Sequence, residues 1–530
     1  MGKYIIKRLL HGAFSVVCVV IIVMVLVYSL LNRTIIFAGD SNYSRMMNNN
    51  RITYEQQKYE SYGYVDYVPY ADYINELAGR GEIDEDTRKA AVTLGRTADK
   101  DSEITSEYVQ KFTQVYEAQG YEIVRLDAVV RNSGRVADGG AAALYATREK
   151  PLASRVLTYF TGMIRLDNIH YVPEDADIGE RGLTFTLFDP VYNPTGTEGV
   201  FSPAIIGNGT LHKYLLYFDG QFPFLHQNFL TLSLGESYTV NAGVDVSDTM
   251  TQAQGSYVLK TITFPTGLTE NSADDLHTAT YAQGSRALNQ VYAERFTDDY
   301  TNVSTFKTGF SKLGYSFVIG ILSTIMAYVL GLPIGLLMSR YKEGLLDKIG
   351  TVYIMFIIAV PSLAYIFLFK AIGGSVFKLP TLFDMDSGGR LMYILPIVSL
   401  ALPSIANLMK WMRRYMIDQM NSDYVKFARS GGLTETEIFT KHIWKNALIP
   451  IVHGIPGSVI FAMTGAIITE RVYVVPGAGN LLTTAINKYD NAVIVGVTLF
   501  YSVLSVVSII LGDVLMATVD PRISFTDKAR

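Results

Sequence analysis

The chain has a single cysteine in 530 residues, Cys18, so neither an intrachain disulfide nor a cysteine-rich metal site can stabilise it. It has no G-x-x-x-x-G-K-[ST] segment, which excludes ATP binding through the backbone cradle that this motif builds. Its seven histidines contain no H-E-x-x-H pair. Neither the stretch from Ser233 to Ser237 nor the Gly284-Ser285 step forms a G-x-S-x-G elbow. The run Asp84-Glu85-Asp86 lacks the spacing and the glycine of an EF-hand and reads as a solvated loop. His170, His212 and His226 read as surface or internally hydrogen-bonded histidines, a commoner state than ligand contact. No catalytic residue, no metal site and no cofactor resident in this chain is expected. Tandem repeats and low-complexity tracts are also missing.

What is present is apolar. With 49% hydrophobic residues the chain is too apolar for a wholly aqueous protein, and 18% charged residues is too many for one wholly in lipid. Six runs approach the roughly 20 residues that cross about 30 Å of hydrocarbon, near 9–31, 313–339, 349–372, 391–412, 447–469 and 493–517. The first follows Lys3, Lys7 and Arg8 but lacks charge from Leu9 to Leu31 and a small-residue cleavage site, so it is expected to be a retained helix. Charge is segregated. From Arg33 to Phe306 there are 22 Lys+Arg against 36 Asp+Glu, a balance of −14, while the rest carries 23 against 13, a balance of +10. The acidic block argues against nucleic acid or anionic lipid as its partner. The basic remainder, including Arg340, Lys342, Lys348, the stretch Lys410 to Lys445, and Arg522, Lys528 and Arg530, fits cytoplasmic loops with both termini inside. Residues 33–305 are then expected outside.

This outer block is long enough for one or two domains with their own core. Tyr108, Phe112, Val115 and Tyr116 form a helical stripe that Gly120 is placed to end. Residues 121–131, 182–188 and 256–264 alternate as strands do, so the block reads as α+β. Residues 54–73 contain seven tyrosines, which are expected to fill a core or a membrane-proximal surface.

Residues 423–450, DYVKFARSGGLTETEIFTKHIWKNALIP, set a polar helix-turn-helix between two apolar spans. Gly431 and Gly432 interrupt two helical patterns, and Thr434 followed by Glu437 reads as a capping box that restarts the second. The flanking spans are rich in helix-bending residues: Pro396 and Pro403 in one, and Pro450, Pro456, Gly454, Gly457 and Gly465 in the other. Ser404, Asn407, His453, Ser458 and Thr464 are candidates for lining a wet path, since polar groups at bilayer depth must face protein or water. Bonding to their own helix, or between neighbouring helices, remains the alternative.

These stretches carry a resemblance. The loop has Ala428, Gly432 four residues on, and Pro450 eighteen further, as the cytoplasmic loop of ABC importer permeases does. Residues 395–433 resemble the oligopeptide and dipeptide permease family in particular, in the member type that begins with a basic stub such as MGKYIIKRLL. ERVYVVPGAGNLL at 470–482 is similar to that family's outer loop before its last span, and Asp520-Pro521-Arg522-Ile523 to its ending. The resemblance covers residues 1–31 and about 310–530. The block between is much longer than usual, although SLGESYTVNAGVDV at 233–246 is similar to the segment that ordinarily precedes the second span.

The resemblance implies an α-helical polytopic membrane protein with six transmembrane helices of the type I ABC importer fold and a large inserted α+β extracellular domain. Residues 1–32 would be the stub and first helix, 33–305 the extracellular domain, and 306–530 the permease core with a coupling loop at 421–446. Tyr424, Ala428, Gly431, Gly432, Leu433, Thr434, Glu435, Ile438 and Phe439 would lie at or beside the ATPase contact. The implied partners are a second homologous permease, two ATP-binding subunits that use ATP and Mg, an extracellular substrate-binding lipoprotein, and membrane lipid. The implied place is the plasma (inner) membrane of a prokaryote, and the implied cargo short peptide. Carriers of nickel complexes or oligosaccharides belong to the same family, and a membrane-anchored receptor or enzyme is the rival of another class. The enlarged block would dock the binding protein or cap the pore mouth.

Overall fold

The computed structural model describes residues 2–30, 33–96, 100–166, 182–189, 200–208, 213–217, 224–225, 230–276, 280–281, 290–297, 301–385, 389–463 and 467–519. The chain divides into two compact units, one of Met24–Gly162 and one of Met1–Val23 with Met163–Arg530.

The first unit is α+β. Strands β1 (Val65–Pro69), β2 (Glu122–Leu126) and β3 (Ala143–Glu149) form an antiparallel sheet in the order β1-β3-β2, with Tyr67 opposite Thr147 and Val124 opposite Tyr145. One sheet face buries Leu144 and Ala146 against Tyr70, Ile74, Ala91 and Phe112 from three helices, Tyr70–Gly79, Glu85–Val92 and Glu103–Ala118. Ser102 starts the last of these, its Oγ accepting the Thr105 N–H at 3.2 Å, and Gly120 follows its end at φ +79°. Phe112 lies at the centre of the expected stripe. Val115 sits at the stripe's edge and is 41% exposed, so it is not part of the core. Of the tyrosine-rich segment, Tyr64, Tyr67 and Tyr70 are buried and Tyr54, Tyr59, Tyr62 and Tyr73 half-buried, and Tyr70 meets Phe112 edge-on with ring centroids 5.6 Å apart.

The second unit holds the apolar helices, except that the first of them runs on past Val23 into residues of the first unit. Among the described residues four are long and apolar enough to cross a membrane: Tyr4–Ser29, Lys312–Arg340, Arg390–Met420 and Asn491–Val519. A fifth crossing is available if Leu345–Ala359 and Ser362–Ser375 count as one. The span expected at 349–372 falls on this pair, which bends by 114°. The cause is Pro361, which offers no N–H to the helix and drives Val360 into an extended conformation, φ −88° and ψ 130°. The span expected at 447–469 is divided too, into Trp444–His453 and Ile455–Met463 at Gly454.

Helices Lys312–Arg340 and Ile394–Met420 pack closely through two small residues on one face. A Cβ on Gly331 would lie 2.9 Å from the Leu408 Cβ, and one on Gly335 would lie 2.8 Å from the Met409 carbonyl oxygen. This small-xxx-small spacing lets the two backbones approach. Short helix Val246–Thr251 packs against both Lys312–Arg340 and Asn491–Val519. The preceding loop is fixed by Asp490, which is fully buried. One oxygen of Asp490 accepts the Ser237 hydroxyl at 2.7 Å and the Tyr238, Thr239 and Val240 N–H groups at 2.9–3.0 Å. A carboxylate in a nest of oriented donors needs no cationic partner.

Candidate functional site

The loop after helix Ile394–Met420 is built as its sequence dictates. Helix Asp423–Ser430 ends at Gly431, and Gly432 turns the chain at φ +84°. Thr434 then caps the next turn. Its Oγ accepts the Glu437 N–H at 3.3 Å, while a Glu437 oxygen accepts the Thr434 N–H at 3.1 Å, which completes the expected capping box. Arg429 and Glu435 bridge the two arms at 2.5 Å and 3.1 Å. Arg429 holds the Glu435 carboxyl below its usual range, although both groups are exposed and the pair alone is a weak constraint. The restarted helix is a single α turn, Glu435–Glu437, that passes into a π turn, Ile438–Ile443, and then into Trp444–His453.

The loop has a buried root and an exposed crest. Val425, Ile438, Phe439 and Ile443 pack on Met412 and Met416 of helix Ile394–Met420 and on Ala447 and Ile451. Tyr328, Leu332 and Leu336 of helix Lys312–Arg340 flank the same cluster. Arg340, at the end of that helix, lies over the Phe439 ring at 5.1 Å. Ile438 and Phe439 are thus 0% and 6% exposed and lie in the buried root, beside the exposed crest and not on it. Tyr424 is half-buried and donates to the Gln419 side chain at 2.8 Å, and Ala428 is half-buried. Gly431, Gly432, Leu433, Thr434 and Glu435 form the exposed crest.

Phe427, which the sequence reading does not single out, is 79% exposed on that crest beside Leu433 at 39%. The signal for it was available. In a helix with Val425 inward, a residue two positions on points about 200° away. An exposed phenylalanine at the tip of a polar loop has the character of an anchor for a partner's pocket.

Beside the root, Asp347 at the start of helix Leu345–Ala359 accepts both Nε and Nη2 of Arg413, at 2.6 Å and 2.8 Å, and the Glu343 N–H at 2.9 Å. This two-pronged pair ties the bent helices to helix Ile394–Met420 at the loop's end of the bundle.

The candidate path residues separate. Ser404 and Asn407 are exposed and lie on one face of helix Ile394–Met420 with Trp411, Arg414 and Asp418. The opposite face, with Ala401, Ile405, Met409, Met412 and Met416, is buried. Ser458 is not on a free face, since its hydroxyl lies 3.2 Å from the Tyr328 hydroxyl and 3.1 Å from the Gly454 carbonyl of its own helix. Thr464 lies outside the described residues, as do His170, His212, His226 and Asp520 to Ile523. No group of three or more His, Cys, Asp or Glu suited to a metal occurs among the described residues.

Known proteins give this geometry a context. Residues 331–525 match the family described as binding-protein-dependent transport system inner membrane component. The chain is 33% identical over 534 residues to the oligopeptide transport system permease protein AmiC of Streptococcus pneumoniae, covering 100% of this chain and 99% of that one. The match therefore includes the long block between the first two long helices. The dipeptide transport system permease protein DppB of Lactococcus lactis is 33% identical over 225 residues, 42% of this chain and 73% of its own. Among solved structures, an inward-facing MetNI methionine ABC transporter matches 39% of this chain and 94% of its own at 16% identity and a TM-score of 0.32, a distance at which it adds nothing to the assignment. On the full-length match, this chain belongs to the binding-protein-dependent transport system inner membrane components, as a permease subunit of an ABC importer.

Proposed function

We propose that this chain forms half of the translocation path of an ATP-driven importer of oligopeptides, and that the loop at 421–446 receives the stroke of cytoplasmic ATPases. The observation that carries the coupling role is the division of one short loop into an exposed crest, Phe427 to Glu435, and a root buried among three helices. A partner closing on the crest displaces the root as a unit, because a packed cluster shifts between discrete arrangements and does not deform smoothly. The peptide cargo is supported by the end-to-end similarity to an oligopeptide permease.

In this reading the chain crosses the membrane six times, one crossing being the span expected at 447–469. Both termini and the loop lie in the cytoplasm of a prokaryotic cell, and residues 33–305 lie outside. The acidic balance of that outer block suits docking of a substrate-binding lipoprotein with a basic face, in an attraction that salt weakens. The exposed polar groups Ser404, Asn407, Arg414 and Asp418 turn toward a second permease and the path between the two, because such groups are costly against lipid. ATP and Mg are used by the partner subunits.

The division of labour is tested by ATPase assays on the purified chain and on the complex with its ATPases. The chain alone is expected to hydrolyse no ATP, and the complex to show vanadate-sensitive turnover. Robust turnover by the single chain would refute it. In the same complex, Glu435→Lys is expected to lower uptake, and Arg429→Glu in the same chain is expected not to restore it. An exposed ion pair stabilises by only about 0–1 kcal/mol, so the defect arises at the ATPase contact. Full rescue by the double change would assign Glu435 to the internal pair alone.

A further inference from the structure

At the end of the bundle opposite the coupling loop, a cavity of about 230 Å³ is lined by Asn241, Thr249, Gln252, Gln254, Lys307 and Lys312. Its composition is one-sided, with two ammonium groups, three side-chain amides, a hydroxyl and no carboxylate. Lys312 opens helix Lys312–Arg340, and its Nζ donates to the Gln254 side-chain oxygen. Gln254 is itself held, its Nε2 donating to the Gln252 carbonyl at 2.6 Å. Lys312 is thereby fixed by a neutral acceptor, and the charge acting on it is the like-charged Lys307. Lys307 lies 5.0 Å from the Tyr257 ring centroid. Asn241 donates to the Thr249 hydroxyl at 3.2 Å, which fixes the far wall.

Neither lysine forms an ion pair with a carboxylate among the described residues. Two cations facing one small polar cavity repel each other, and the cavity is completed electrostatically by an anion. The first turn of a 29-residue helix adds positive potential in the same place. Rigid framing argues for a built site. The loop bearing Val240 and Asn241 hangs on buried Asp490, and helix Val246–Thr251, which supplies Thr249, is wedged between two long helices.

We propose that this cavity receives the C-terminal carboxylate of the peptide cargo as it enters the path, with Lys307 and Lys312 as its cationic partners and Gln252 as a neutral donor. This rests on the peptide-importer reading and deepens it. The cavity has room for a terminal carboxylate and part of the residue that bears it, and it lies at the end where cargo is delivered in that reading. Selection for a free C-terminus would then belong partly to the permease and not wholly to the binding protein.

The test uses the complete complex, with its ATPases and binding protein, in proteoliposomes. Uptake of tetra-alanine as the free acid is compared with uptake of its C-terminal amide at subsaturating concentration. For the wild type the acid is expected to enter about tenfold faster than the amide, the size of one charge-assisted contact. Because the binding protein is held constant, Lys307→Met with Lys312→Met is expected to reduce that ratio severalfold by slowing the acid, while Lys312→Arg preserves it. Where the double variant fails to assemble, Lys307→Gln alone must lower the ratio. Uptake of both forms at a ratio unchanged by the variants overturns this inference and leaves the peptide reading intact. Uptake of neither form by the wild type overturns the peptide reading and this inference with it. Equal loss of both forms in the variants, with wild-type uptake dependent on phosphatidylglycerol, would assign the lysines to a lipid phosphate and also overturn it.

Discussion

Replacing Gly432 with valine is expected to lower ATP-driven uptake by about tenfold or more, while ligand capture by the binding protein is unchanged. The reason is conformational and not steric. A Cβ at Gly432 would meet nothing within 4 Å, but the residue turns at φ +84°, which a β-branched side chain strongly resists. The left-handed turn carries the Gly432 N–H to the Arg429 carbonyl at 3.1 Å and the Leu433 N–H to the Ala428 carbonyl at 3.3 Å. Strain of about 1–2 kcal/mol at that point moves the loop equilibrium roughly tenfold and swings Leu433, Thr434 and Glu435 away from Phe427. Gly431 is the internal control. Its φ is −77°, and an added Cβ would touch carbonyl oxygens only at 3.5 Å, so Gly431→Ala is expected to keep uptake within about twofold. Uptake and ATPase stimulation measured side by side decide the matter, and equal behaviour of the two variants would show that the turn geometry is irrelevant.

Asp490→Ala is expected to destabilise the purified chain by about 3 kcal/mol or more, read as a lowered midpoint in thermal unfolding in detergent. The carboxylate is fully buried, and one oxygen collects a hydroxyl and three backbone N–H groups. Removing it takes this acceptor from all four donors, of whose bonds those of the Ser237 hydroxyl and the Tyr238 N–H are fully buried, and each buried donor left unsatisfied costs about 1–3 kcal/mol. Its other oxygen accepts the Val493 N–H at 3.3 Å in the first turn of helix Asn491–Val519. Asp490→Asn retains one acceptor oxygen and loses the charge, so it is expected to fall between Ala and wild type. An alanine variant that melts with wild type would mean that the loop at 237–240 is held by something else.

Much of the 421–446 loop was legible because its signals are local. A glycine pair, a Thr-x-x-Glu capping box and flanking charge dictate a turn and a helix restart wherever the segment sits. The tyrosines from Tyr54 to Tyr73 were legible for a related reason, since rings that large stabilise chiefly by burial. Direction was harder. Phe427 and Phe439 look alike in the sequence, yet one is 79% exposed and the other 6% exposed, because the partner helices that decide it come from residues about 100 positions away as well as from neighbours. The bend at Pro361 was hidden by hydropathy, which measures composition and is blind to path. The Gly331 and Gly335 contact needed knowledge of which helix lies opposite. Asp490 stood in the sequence as an acidic residue before a long apolar run, a recognisable cap, but its hold on residues 237–240 spans some 250 positions that no local pattern connects.

The central claim is that the crest of the 421–446 loop meets the ATPases. It is tested most directly by cross-linking in the assembled complex, with Cys18→Ser as background and a cysteine placed by Phe427→Cys. A second chain carrying Ser61→Cys on the exposed surface of the first unit serves as the comparison. The predicted result is an adduct between the Phe427→Cys chain and an ATPase subunit that changes in yield on ATP binding, no such adduct from Ser61→Cys, and labelling by an impermeant thiol reagent from outside at Ser61→Cys alone. Labelling of Phe427→Cys from outside, or ATPase adducts from Ser61→Cys but not from Phe427→Cys, would contradict it.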